Sequence, residues 1–201
     1  MTVYDAPLWD TLLDQVRAAH EDSADLMDFC PFATDLTRQE VRSFHIPSSD
    51  LLCQDTGLFT DRYNALKAAA TAVAPFAHWR QTYKGTQVSR RFLDEFGCFC
   101  LIGKGGAFQS AQMNAWLVYM PRGLYYPWHQ HPAEEMYLCL AGEAVFRKDG
   151  EDDRILRAGG TTLHHSNQPH AMQTLDHPVL AYVVWRNGFG TAPVLTHEDA
   201  T

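Results

Sequence analysis

The chain has 201 residues, 46% hydrophobic and 20% charged, which suits one domain with a packed core and excludes a disordered chain. Its formal net charge of −8 excludes attachment to nucleic acid or to an anionic membrane through bulk charge. No run approaches the ~18 apolar residues needed to span a bilayer.

The chain opens on MTVYDAPLWDTLLDQ, which carries acids, no basic segment and no apolar stretch behind it, so no export signal is read there. The five cysteines, Cys30, Cys53, Cys98, Cys100 and Cys139, are odd in number and irregularly spaced. Both features predict reduced thiols and a cytoplasmic location. Cys98 and Cys100 sit inside the apolar run FGCFCLIG and read as small buried hydrophobes rather than half of a soft metal site.

The first third is helical in pattern. Ala6 to His20 carries Leu8, Trp9, Leu12, Leu13 and Val16 on one face. A short second helix is expected from Asp35 to Val41. A third, capped by Thr60-Asp61, is expected from Arg62 to about Val73, ended by Pro75. Near residue 80 the pattern changes to short apolar segments broken by turn pairs. Strands are expected at Phe96–Ile102, Met113–Met120, Met136–Leu140, Glu143–Arg147, Ile155-Leu156, Ala171–Leu175 and Val179–Trp185. Ala141-Gly142 separates two of these, Asp149-Gly150 marks a hairpin, and Asp176-His177-Pro178 is a turn. Such strands predict a mainly β sandwich or small barrel (residues 81–201) preceded by a helical lobe packed on it (residues 1–80).

The stretch YYPWHQHPAEEMYLCLAG, residues 125–142, holds the chemistry. On a continuous strand the odd positions His129, His131, Glu135, Tyr137 and Cys139 share a face. An interior face with two imidazoles and a carboxylate is unfavourable unless something satisfies it, and a divalent cation does. The ligand types suit zinc, iron, nickel or manganese. A fourth ligand must come from His164, His165, His170 or His177. His164 and His165 fall in the turn-rich HHSNQP, and His177 in an exposed turn. His170 opens the alternating AMQTL and is the preferred ligand.

Tyr137 lies two residues past Glu135 on the same face. Its phenol approaches the metal site either as a base or as a satisfied core tyrosine. Tyr125, Tyr126, Trp128 and Trp185 add aromatic faces, which either pack as core or hold a small organic cation.

These residues resemble the cupin superfamily, whose fold is a double-stranded β-helix, or jelly-roll, barrel. Gly123, His129, His131, Glu135 and Gly142 match every position of its first motif, G-x5-H-x-H-x3-4-E-x6-G. Gly159 and His170 match the second, in which His165, Asn167 and Thr174 replace proline, glycine and asparagine. Within the superfamily, YYPWHQH followed by EEMYL resembles the dimethylsulfoniopropionate (DMSP) lyases, closest to the DddQ branch. The resemblance implies cleavage of this zwitterion to dimethyl sulfide and acrylate. It implies one divalent ion, with zinc sufficient, on His129, His131, Glu135 and His170. It also implies Tyr137 as base and Tyr126 as an assisting and substrate-binding group, with Trp128 and Trp185 as further aromatic contacts. A homodimer through an edge strand is open. Two rival readings share the metal set: an iron-dependent cupin dioxygenase acting on a thiol or small organic acid, and a non-enzymatic small-molecule binder.

Overall fold

The computed structural model describes residues 6–196. Helix α1 (Ala6–Glu21) buries Trp9, Leu12, Leu13 and Val16, as its apolar spacing dictates. A short α2 (Ala24–Phe29) follows, capped where Ser23 Oγ accepts from the Leu26 N–H. The helix expected from Asp35 to Val41 is absent. The chain there is extended and forms β1 (Thr37–Arg38). Distant contacts outweigh local propensity at this point. The Asp35 carboxylate accepts from Ser110 Oγ at 2.5 Å and the Ala111 N–H at 2.8 Å, and the Gln39 amide donates to the Gly103 carbonyl at 2.8 Å.

Helix α3 (Pro47–Gln54) begins on a proline, which suits a position whose N–H has no helical partner. Helix α4 (Asn64–Val73) starts two residues later than expected, because Thr60 Oγ1 accepts from the Tyr63 N–H and holds a turn ahead of it. Pro75 does not stop the chain dead but sits in one 3-10 turn, Ala74–Phe76. Then come β2 (Trp79–Arg80), α5 (Arg90–Glu95, capped by Ser89), β3 (Gly97–Ile102), β4 (Phe108–Gln109), β5 (Asn114–Met120) and β6 (Tyr125–Gln130). The remaining strands are β7 (Glu134–Lys148), β8 (Arg154–Arg157), β9 (Thr161–His164), β10 (His170–Gln173), β11 (Val179–Arg186) and β12 (Val194–Leu195).

Two strands expected either side of Ala141-Gly142 are one 15-residue strand, β7, shared between two sheets. Its first half pairs with β11 and β9, in the sheet that also holds β5, β3, β2, β4 and β1. Its second half pairs with β8 and β10; β10 pairs onward with β6, and β6 with β12. The corner falls at Gly142, at φ 71°, beside a register shift opposite Leu180/Ala181. A Cβ on Gly142 would stand 1.8 Å from the Pro178 carbonyl oxygen, so no side chain fits.

The first sheet is buried on both faces. Leu117, Tyr119, Leu138, Leu180 and Tyr182 point outward into a core shared with α1 to α4. Trp116, Val118, Tyr137, Val183 and Trp185 point inward to the barrel. The arrangement is the double-stranded β-helix of a cupin, mainly β, with helices from the N-terminal third packed on one sheet. His20 ties helix to barrel: its ring contacts Tyr182 Oη at 3.0 Å and the Cys30 carbonyl at 2.7 Å, wholly buried. Among the described residues no helix is long and apolar enough to cross a membrane.

Gly142→Ala is expected to cost on the order of 3 kcal/mol or more in urea denaturation, through a left-handed backbone and a direct clash. Burial holds the His20 pKa below its ordinary 6.5, so the folded chain keeps it neutral where the unfolded chain takes up a proton. Its stabilisation is therefore full above pH 6.5 and lost as pH falls toward the lowered folded pKa. The stability gap between wild type and His20→Phe should be wider at pH 7.5 than at pH 5.

Candidate active site

The strand bearing the histidines is not continuous. β6 ends at Gln130, the chain turns through residues 131–133, and β7 starts at Glu134. Alternation alone therefore does not aim the ligands. The turn does: the His131 ring bonds the Ala133 carbonyl through Nδ1 at 2.9 Å. His129 lies near the end of β6, opposite His170 at the start of β10. Asn167, at φ 57°, stands where the cupin pattern has glycine, and its N–H donates to the His131 carbonyl at 2.8 Å. That bond joins the loop leading to His170 to the turn carrying His131.

His129, His131, Glu135 and His170 converge inside the barrel, each 2% exposed. Three imidazoles share one device. Nδ1 of His129, His131 and His170 lies 2.9, 2.9 and 2.8 Å from the carbonyls of Pro127, Ala133 and Gln168. Donation there fixes the tautomer and leaves Nε2 bare. Nε2 of His170 and of His131 approach Glu135 Oε2 at 3.1 and 3.5 Å. Both are buried without a hydrogen-bond partner among the described residues. Ligand atoms sharing a tetrahedral ion with bonds of ~2.0 Å lie about 3.3 Å apart, so the donor set fits a divalent metal.

The charges agree. Burial would raise the Glu135 pKa, but the His131 charge and the close approach of His131, His164 and His170 outweigh it and hold the carboxyl well below its usual range. Burial, then the neighbouring His170, keeps His129 neutral at pH 7. Burial also opposes charge on His131, yet Glu135 and the Ala133 carbonyl overcome it and raise that pKa. The site thus combines one ionised carboxylate with pre-oriented imidazoles, as metal ligation requires.

The sequence reading placed His164 in a loop, outside the preferred ligand set. It is the last residue of β9, 1% exposed, and its Nδ1 lies 2.9 Å from Glu135 Oε2. The alternation of Thr162 and His164, both buried, was the available signal. His177 is exposed, as expected, beside Phe59. Cys98 and Cys100 carry protonated thiols, the first raised to about 11 by burial.

A cavity of roughly 1370 Å³ reaches this cluster at Glu135, with Trp116, Tyr126, Tyr137 and Trp185 also in its wall. Tyr126 stacks on His129 at 4.0 Å between ring centroids, and its hydroxyl pairs with that of Tyr83 at 3.1 Å. Tyr83, from the segment before α5, was not anticipated. Burial, then the Glu135 charge, holds Tyr137 protonated in the metal-free chain. Trp185 reaches the wall, but its indole N–H is already committed, donating to Glu135 Oε1 at 2.6 Å. Trp128 is half-buried on β6 and is not part of the cavity wall.

Known proteins give this site a context. The family model of dimethylsulfoniopropionate lyases matches residues 37–181. The DMSP lyase DddQ of Ruegeria pomeroyi is 44% identical over 193 residues, 96% of each chain. The crystal structure of that DddQ superposes with a TM-score of 0.95 at 43% identity, covering 98% of this chain and 100% of the other. A chain from the crystal structures of the DMSP lyases RdDddP and RnDddQII gives a TM-score of 0.92 at 34% identity, covering 96% of this chain and 99% of the other. A family match over most of the barrel and near full-length identity converge with the histidine–glutamate cluster: this chain belongs to the dimethylsulfoniopropionate lyase family.

Proposed function

We propose that this chain is a metal-dependent carbon–sulfur lyase that splits DMSP into dimethyl sulfide and acrylate by β-elimination. The observation that carries the reading is Tyr137, two residues along β7 from the buried Glu135 and, with it, in the wall of the same cavity. His129, His131, Glu135 and His170 would hold one divalent ion, for which zinc suffices and iron, nickel or manganese can serve. Bound there, the ion supplies a Lewis acid for the substrate carboxylate and positive charge that offsets the field of Glu135 on the Tyr137 phenol.

The residues of the chain do the rest. Tyr137, as phenolate, takes the proton from the carbon next to the carboxylate. The C–H electron pair becomes the C=C bond of acrylate, and the C–S pair leaves with neutral dimethyl sulfide. No electron is gained or lost overall. Trp116, Tyr126 and Trp185 line the cavity that would receive the sulfonium. The Tyr83–Tyr126 hydroxyl pair keeps the Tyr126 ring stacked on His129. Five free cysteines among the described residues suit the reducing cytoplasm in which we place the enzyme.

Headspace gas chromatography of purified protein mixed with DMSP tests the reading. Gas release should stop on chelation and return with zinc. Tyr137→Phe should lower the rate at least ~100-fold, the scale of a lost general base, with zinc content unchanged. His170→Ala should lose zinc and activity together. A wild-type rate from Tyr137→Phe would remove the base assignment. No gas from fully loaded protein would remove the substrate.

A further inference from the structure

Glu135 sits at the centre of a row across three strands. β11 brings Trp185 opposite it on one side, and β9 brings His164 opposite it on the other. Directly opposed residues on neighbouring strands point to the same face, here the barrel interior. Each neighbour engages a different carboxylate oxygen: Trp185 Nε1–H donates to Oε1 at 2.6 Å, and His164 Nδ1 meets Oε2 at 2.9 Å.

His164 is turned the other way from the remaining three histidines. They place Nδ1 on main-chain carbonyls and offer Nε2 to the centre. His164 gives its Nδ1–H to the carboxylate, and its Nε2 is buried without a partner among the described residues. Its ring stacks on His170 at 4.0 Å between centroids, which fixes its plane. His164 also lies with Glu135 and His170 in a group of possible donor atoms within 4.8 Å of one another, so its part is either to ligate or to position.

We propose that Trp185 and His164 are positioning residues that clamp Glu135 from both sides, and that His164 is not itself a metal ligand. With Oε1 accepting from the indole and Oε2 from His164, the carboxylate plane is fixed, and Oε2, which also faces His131 and His170, would be the oxygen offered to the ion. The proposal rests on the metal-site reading above and assigns Trp185 a task beyond its aromatic face.

The test uses the full-length chain, stripped with chelator and titrated with Zn2+ against a chromophoric chelator. X-ray absorption of the zinc-loaded protein counts imidazoles at the ion. His164→Ala and Trp185→Phe should each weaken zinc binding ~10–100-fold, the usual scale for losing an outer partner of a ligand. His164→Asn, whose amide N–H stands near the position of Nδ1–H, should recover most of that loss. The imidazole count should not change in His164→Ala. Should that variant fail to fold, Trp185→Phe keeps the ring shape and tests the clamp from the other side. Wild-type affinity in the variants would overturn the clamp, and one imidazole fewer in His164→Ala would make His164 a ligand instead. Wild-type protein that binds no zinc would fail at the metal site itself and take the clamp with it.

Discussion

A carboxylate 2% exposed, with three imidazole nitrogens within 3.5 Å of one oxygen, is the constraint around which the barrel is organised. Taking an ionised group that far from water is costly unless it is paired and hydrogen-bonded. The barrel meets the cost with directed contacts: an indole on one oxygen, imidazoles on the other, and main-chain carbonyls behind His129, His131 and His170. Each main-chain contact spans only two residues along the chain, so the turns that carry the histidines also set their tautomers. The donor atoms are arranged before any ion arrives, which lowers the ordering needed on binding.

That arrangement depends on one strand serving two sheets. β7 begins with Glu135 and Tyr137 in the first sheet and ends in the second, where β10 carries His170 beside it. Only a sharp bend at Gly142 permits this. The residue is far along the strand from the chemistry, yet it decides whether His170 and Glu135 share one interior. The helical third has a matching task. The first sheet exposes Leu117, Tyr119, Leu138 and Tyr182 on its outer face, and α1 to α4 cover them. The cavity side is thereby kept for aromatic and ligating groups.

Double burial also explains what the strands looked like as sequence. WLVYM and VLAYVVW read as continuous apolar runs rather than alternating ones, because one face meets helices and the other meets the barrel core. Strand existence was therefore legible, and so were α1 and the turns at Asp149-Gly150 and Asp176-His177-Pro178. The extended segment at Thr37–Arg38 was not. Its local pattern favours a helix, and it is held straight by Ser110, Ala111 and Gly103, 64–76 residues away. Capping by Ser23 and Ser89 was present in the letters, but helices as short as α2 and α5 depend on packing to exist.

The sequence by itself determined the family, the barrel and the residues of the H-x-H-x3-E stretch, because these follow from short spacings along one chain segment. His170 was reachable as well, since it opens a strand after Gln168-Pro169. Tertiary structure alone decided that His164 and Trp185 flank Glu135 and that Trp128 stays off the cavity wall. The physical reason is register. Which residues face each other across strands is set by bulges and pairings between segments far apart in the chain, and a one-residue slip would turn each of these side chains to the opposite face.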